Sequence, residues 1–372
     1  MRRLLVVTAA QLTMCGRSPE TRQVFGEYLQ VRYSDTRTNV TMSEIAAHEP
    51  AIFLPVSTAH EHWMLVRNRS RRGTINATEL PFLPMPPDLH YRGWLRPGPL
   101  PPGGIEPEAG ETLNYIAGHY RIFQYADGHR FSTDDVLTAW YATQWAPRVG
   151  RAADLGSGIG SVALVVAWRL VGARIVTVEA QAMSVRLARK SVRYNGIEDR
   201  VDVREGDLRD FGGDEQPFDL VTGSPPYFPP GTAVEAGHPQ AVPARIEVRG
   251  SVADYARTAA RILAPGGLFA FVFPFAQRER AEAALREHSL VLLRRRDVVF
   301  KEGEAPMISL FAAARAADLP PGRAAFVEPP LTIRRADGSM DPEYAMVRLS
   351  FGFPPGDVPA YVPGTEITPP YV

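Results

Sequence analysis

The chain has 372 residues, 45% hydrophobic and 22% charged, enough for one large domain or two modest ones with a real core. Its 41 basic residues balance 41 acidic ones, so no net field gathers nucleic acid; only Lys190 and Lys301 are lysines, and so strong an arginine bias lowers the weight of any one cluster. The single cysteine, Cys15, excludes internal disulfides and cysteine-rich zinc sites, and no apolar run reaches the roughly 18 residues of a membrane span.

The first hundred residues carry the fewest signals. Arg2-Arg3 followed by apolar residues 4–10, with no acid before Glu20, has the look of a targeting segment, the plainer alternative being a buried strand or an extension. The run Arg67-Asn68-Arg69-Ser70-Arg71-Arg72 reads as a solvated loop, with phosphate contact as the alternative. His60-Glu61-His62 has no third ligand nearby, so no metal site is expected there. Prolines then crowd between Pro81 and Pro107, and a residue that fixes φ and lacks an amide hydrogen cannot build a helix interior or a central strand there. The chain therefore divides into an N-terminal segment (1–85), a Pro-rich linker (86–110), a working domain (111–350) and a Pro-rich tail (351–372).

After the boundary the pattern becomes regular. Residues 120–125 alternate as a short strand, and Ser132 or Thr133 can cap a helix over 134–145. An apolar approach enters Asp154-Leu155-Gly156-Ser157-Gly158-Ile159-Gly160-Ser161, and an apolar helix follows. Strands are predicted at 174–179, 201–204, 218–222, 268–273, 291–299 and 307–313. Helices are predicted at 180–195, 251–263 and 277–288. Strands alternating with helices form a parallel α/β sheet, with ligands beyond the carboxyl ends of its strands.

The special residues fall on that one edge. Glycines at alternate positions let the backbone pass close to a ligand that a Cβ would strike, and the next helix aims its free amides at the same place. Glu179 ends the second strand, where a carboxylate can take both hydroxyls of a ribose, and Asp207 follows the third, where an adenine would lie. The ligand is nucleoside-like; no Gly-Lys-Ser/Thr phosphate loop occurs. The fourth strand ends in Ser224-Pro225-Pro226-Tyr227-Phe228. Two prolines hold a rigid loop whose Ser224 hydroxyl and Pro225 carbonyl can accept the N–H bonds of an exocyclic amine, while Tyr227 or Phe228 stacks on its base.

These motifs together resemble class I S-adenosylmethionine-dependent methyltransferases that modify amino nitrogens. Phe131-Ser132-Thr133-Asp134, Ala188-Arg189 through Asn195-Gly196, the Pro-Pro-Tyr-Phe loop, Ala244-Arg245-Ile246-Glu247 and Glu328-Pro329-Pro330-Leu331 resemble, more narrowly, the tRNA(Val) (adenine-N6)-methyltransferase family. The likeness spans roughly 115–348. It implies a Rossmann-like α/β fold with a mostly parallel seven-stranded sheet, carrying an N-terminal extension. It implies S-adenosyl-L-methionine as cofactor, with Phe131, Ser132, Thr133 and Asp134 near the methionine part and Asp154, Gly156, Gly158 and Gly160 around the cofactor. Glu179 then takes the ribose, Asp207 the adenine, and Ser224, Pro225, Pro226 and Tyr227 the target amine. The expected enzyme is cytoplasmic, a monomer or weak homo-oligomer, and methylates adenine N6 in RNA, most readily tRNA. Ser224 departs from the family's usual Asn, and Ser in this motif is also found in cytosine-N4 DNA methyltransferases. A protein glutamine amide as acceptor, or a cofactor-binding fold kept as an RNA-interaction module without turnover, are the other readings.

Overall fold

The structure is a computed structural model that describes residues 96–353, apart from 145–148, 214, 232–237, 321 and 323, together with the backbone of four short strands upstream. Two units emerge, Met1–Pro97 and Gly98–Val372. In the first, β1 (Ile52–Pro55) pairs antiparallel with β2 (Trp63–Val66), and β3 (His90–Tyr91) with β4 (Trp94–Leu95). The targeting-like start, His60-Glu61-His62 and the Arg67–Arg72 run lie outside the described residues.

The second unit opens with a hairpin, β5 (Glu111–Ala117) and β6 (Tyr120–Tyr125). Next come α1 (Thr133–Gln144), β7 (Arg151–Leu155), α2 (Ser161–Arg169), β8 (Arg174–Glu179), α3 (Ala182–Tyr194), β9 (Val201–Glu205) and β10 (Phe218–Gly223). The chain continues through α4 (Ala241–Arg245), α5 (Val252–Ile262), β11 (Leu263–Pro274), α6 (Arg278–Glu287), β12 (Leu290–Lys301), β13 (Ile308–Arg315), β14 (Phe326–Arg334) and α7 (Pro342–Leu349). The strand run Ile175-Val176-Thr177-Val178 is β-branched throughout, which favours the pleated surface. Helix α5 is capped at Ser251, whose amide donates to Asp254 Oδ2 at 2.8 Å.

The sheet has eight strands in the order β14-β12-β13-β11-β10-β7-β8-β9, so the expected count of seven is one short. Only β13 runs against the rest. The added strand is β14, on the outer edge, where Pro329 and Pro330 fall between the partners Arg296↔Glu328 and Val298↔Leu331. Proline is confined to edges and bulges because it cannot donate to a ladder.

Both faces are covered. Along β7 and β10, Ala152 and Leu220 face the core under α1, α2 and α3, while Ala153 and Val221 face the core under α5 and α6. This period of two is what a sheet buried on both sides requires. The second core is aromatic: Phe269 stacks on Phe271 at 4.7 Å and Phe271 on Phe311 at 4.8 Å. Among the described residues no helix is long and apolar enough to cross a membrane.

Candidate active site

A cleft opens where β7, β8 and β10 end. Its wall includes the glycine loop (Gly156, Ser157, Gly158), Asp154, Glu179, Asp207 and Ser224. The topology explains the gathering: β7 lies between β8 and β10, so the loops after all three emerge side by side at the point where the strand order reverses.

The three glycines have three separate causes. All take positive φ, at 57°, 55° and 82° for Gly156, Gly158 and Gly160. A Cβ on Gly156 would lie 1.8 Å from Tyr255 Oη, so the residue is dictated by α5 packing. A Cβ on Gly158 meets nothing within 4 Å, which is the open side of the cleft. A Cβ on Gly160 reaches Ala188 on α3 at 3.4 Å, and Gly160 is not part of the cleft wall.

Asp154 is 1% exposed and lies one residue before the end of β7, beside its register partner Thr222, whose hydroxyl donates to Asp154 Oδ1 at 2.7 Å. Its Oδ2 is buried with no hydrogen-bond partner. Burial raises the carboxyl to about 7; the Thr222 bond opposes this, and the charges of Asp135 and Glu179 reinforce it. Glu179, 7% exposed, accepts the Gly158 amide on Oε2 at 2.9 Å and the Gln181 amide on Oε1 at 2.7 Å. It is raised by burial, against the pull of those two amides. Asp207 is held below its ordinary value, chiefly by Arg209, whose Nε and Nη2 reach its two oxygens at 2.9 and 2.5 Å.

From α1 it is Asp135, not the expected Phe131, Ser132, Thr133 or Asp134, that enters the wall. Asp135 accepts the Ser132 amide at 2.8 Å and is raised by burial to about 7. Asp134 points instead to the proline loop, where it accepts the Tyr227 hydroxyl at 2.7 Å. In that loop Ser224 and Pro226 line the cleft, and Pro225 and Tyr227 do not. The Ser224 Oγ is buried and unpartnered. The Tyr227 ring meets Phe273 edge-on at 6.0 Å, and its carbonyl accepts Gln277 Nε2 at 2.8 Å.

Several wall residues carry no motif: His129, Asp135, Gln181, Arg249 and Tyr255. Buried Gln240 joins three sides, accepting the His129 amide on Oε1 at 3.1 Å and donating to Ser184 Oγ at 3.0 Å, while its carbonyl accepts Gln181 Nε2 at 3.4 Å. No local pattern marks such a residue; its partners come from other elements.

Residues 134–242, which carry Asp135, Asp154, the glycine loop, Glu179, Asp207 and the proline loop, match the methyltransferase small domain family. A tRNA1(Val) (adenine(37)-N6)-methyltransferase of Pasteurella multocida is 32% identical over 187 residues, covering 48% of this chain and 76% of that protein. The chain belongs to this family. A second member, from Tolumonas auensis, is 29% identical over 219 residues, 58% of this chain and 86% of that one. Among solved structures, a predicted O-methyltransferase from Agrobacterium tumefaciens aligns at a TM-score of 0.46 and 21% identity, over 59% of this chain and 98% of that one.

The protein is an S-adenosylmethionine-dependent methyltransferase. The wall of the cleft fits that cofactor. Asp135, Asp154, Glu179 and Asp207 suit a ligand with a sulfonium, an ammonium and ribose hydroxyls. The unpartnered Asp154 Oδ2 and Ser157 Oγ are buried acceptors without donors, and the space beyond Gly158 is open.

Proposed function

We propose that this methyltransferase transfers a methyl group to adenine N6 in tRNA, with Ser224, Pro225, Pro226 and Tyr227 presenting the amine. One observation carries the placement: the Ser224 hydroxyl, buried and without a partner in the cleft wall, stands at the end of β10 in the loop beside the acid-lined half of the site. The names of the curated relatives supply the base and the nucleic acid.

The chemistry follows from the amine. Its lone pair is delocalised into the ring, so the nitrogen attacks only as it becomes tetrahedral. Ser224 Oγ, in the cleft wall, accepts one N–H bond, and the carbonyl of Pro225, next to it and behind the wall, is the acceptor proposed for the other; together they favour that geometry. When bound, S-adenosylmethionine supplies a methyl on a cationic sulfur that leaves as a neutral thioether. Asp154 and Asp135 would hold the cationic groups of the methionine part, Glu179 the ribose and Asp207 the adenine edge. Tyr227, fixed through its hydroxyl by Asp134, limits where the base can stack. After transfer the amine sheds one proton, and the cleft mouth passes it to water.

The test is mass spectrometry of nucleosides from a tRNA transcript incubated with pure protein and methyl-labelled cofactor. Labelled N6-methyladenosine is the expected product. Label on cytosine, or on a protein glutamine and on no nucleoside, would overturn the assignment.

A further inference from the structure

We infer that Arg245, together with Arg130, forms a two-point clamp for backbone phosphates of the RNA that flank the methylated base. The inference rests on the reading that the acceptor is RNA.

The segment after the proline loop holds Arg245 and Arg249 and meets a third arginine, Arg280, and the surroundings of the three differ. Arg280, on α6, reaches Glu247 of that segment at 2.5 Å, and the Glu247 side chain is 6% exposed, so this pair is closed. Arg249 donates to the Ala180 carbonyl at 2.7 Å, and its charge acts on Glu179 and Asp207 in the wall. Arg245 is exposed, and among the described residues its side chain makes no hydrogen bond and no ion pair. In a chain whose arginines are so often tied to carboxylates or carbonyls, a cation left without either beside a cleft is available to a ligand.

Its backbone is the opposite of free. The Arg245 carbonyl accepts the amides of Tyr227 at 3.1 Å and Phe228 at 3.0 Å, and Ile246 forms a parallel bridge with Phe228. Pro243 and Ala244, just before it, line the cleft. Arg245 is thus fastened to the loop that presents the amine, and a phosphate bound there is set in register with the base. The charge also reaches the cleft: His129 is held below the usual imidazole range by burial first and by Arg245 second.

Arg130 adjoins His129 and is exposed as well. Its guanidinium rests on neutral acceptors, Thr112 Oγ1 and Asn114 Oδ1, both at 3.2 Å, so its charge is uncompensated. One cation follows the cleft residue His129 in sequence and the other follows the cleft residues Pro243 and Ala244, so the pair suits a polyanion, whereas the acidic wall suits the cationic cofactor. With a formal net charge of zero, the protein has no global field to do this work.

The experiment measures binding of an unmodified valine tRNA transcript to the full chain across a range of salt. Each lost phosphate contact removes about 0.7–0.9 from the slope of log affinity against log salt. Arg245→Gln and Arg130→Gln should each show that drop, Arg245→Lys should keep the slope, and calorimetric affinity for S-adenosylmethionine should be the same in all. Because Arg245 meets the loop through its carbonyl, the substitution leaves that scaffold in place. Unchanged slopes in both glutamine variants would overturn the clamp, as would a matching loss of cofactor affinity, which marks a structural role. A wild-type protein that binds the transcript without salt dependence and methylates no nucleoside in it would sink the RNA reading itself.

Discussion

Asp134 and Tyr227 lie 93 positions apart in sequence and share a hydrogen bond of 2.7 Å, the tyrosine hydroxyl donating to Asp134 Oδ2. The bond ties the start of α1 to the proline loop. Burial raises the Asp134 carboxyl, and the bond from Tyr227 opposes that shift. Removing the hydroxyl therefore strands a partly buried carboxylate, at a cost of about 1–3 kcal/mol. In a double-mutant cycle, Tyr227→Phe and Asp134→Asn should be coupled by about 1 kcal/mol or more in denaturant unfolding. Both should slow methyl transfer without a matching change in cofactor affinity. Additive effects would dissolve the link.

Glu179 fixes the glycine loop as well as lining the cleft. Glu179→Ala should weaken cofactor binding by roughly 2–4 kcal/mol, because two charge-assisted bonds to backbone amides vanish along with the acceptor proposed for the ribose. Calorimetry reads this directly. Glu179→Gln separates the two roles: it keeps the shape but offers one carbonyl where two oxygens now accept.

Binding of the cationic cofactor should depend on pH. Burial pushes Asp135 and Asp154 up to about 7, so in the free protein both hold protons below that point. A cation favours their ionised forms and lowers their pKa on binding. Affinity is then complete above about pH 7 and declines as pH falls through it, by roughly up to tenfold per unit for each carboxyl. Titration at pH 6, 7 and 8 should show the decline, with proton release at pH 6 detected as buffer-dependent heat. Asp154→Asn should make the profile shallower and leave the part due to Asp135; a flat wild-type profile would contradict the coupling.

Ser224 gives the sharpest test of the amine's position. Ser224→Ala should lower single-turnover methyl transfer by roughly 10- to 1000-fold at saturating cofactor, about 1.4–4 kcal/mol of barrier, with cofactor affinity nearly intact. Ser224→Asn should preserve or raise the rate on an adenine amine. Equal rates for wild type and Ser224→Ala would remove the residue from the reaction.

Every residue of the cleft wall lies between His129 and Tyr255, within the unit Gly98–Val372. A chain shortened to begin at Pro86 should therefore fold and bind S-adenosylmethionine as the full chain does, by circular dichroism and calorimetry. Failure to fold would make residues 1–85 part of the enzyme's core.

What the sequence made legible was whatever depends on local chemistry. The run Arg174–Glu179 is found within its expected bounds because a β-branched stretch ending in an acid needs no distant partner. Strand β14 was missed because Pro329-Pro330 argues against a strand unless its edge position is known. Helix α7 escaped notice because it is short, although Asp341 caps it by accepting the Glu343 amide at 2.9 Å and Pro342 sits at its first position. In the site, motif residues gave the neighbourhood and tertiary packing chose the side chain. Asp134 and Asp135 are adjacent acids, and only the orientation of α1 against the sheet decides which one meets the cleft and which one meets Tyr227.

The prolines of β14 have a consequence for how the molecule meets its own copies. Successive residues of a strand turn their amides to opposite sides, so of two consecutive prolines one faces β12 and one faces outward. The inward gap is absorbed where the register with β12 slips. The outward gap leaves a would-be ninth strand without a donor at mid-edge. A second chain adding a strand there would meet that gap, which weakens edge-to-edge pairing beside the exposed Phe326 and Val327.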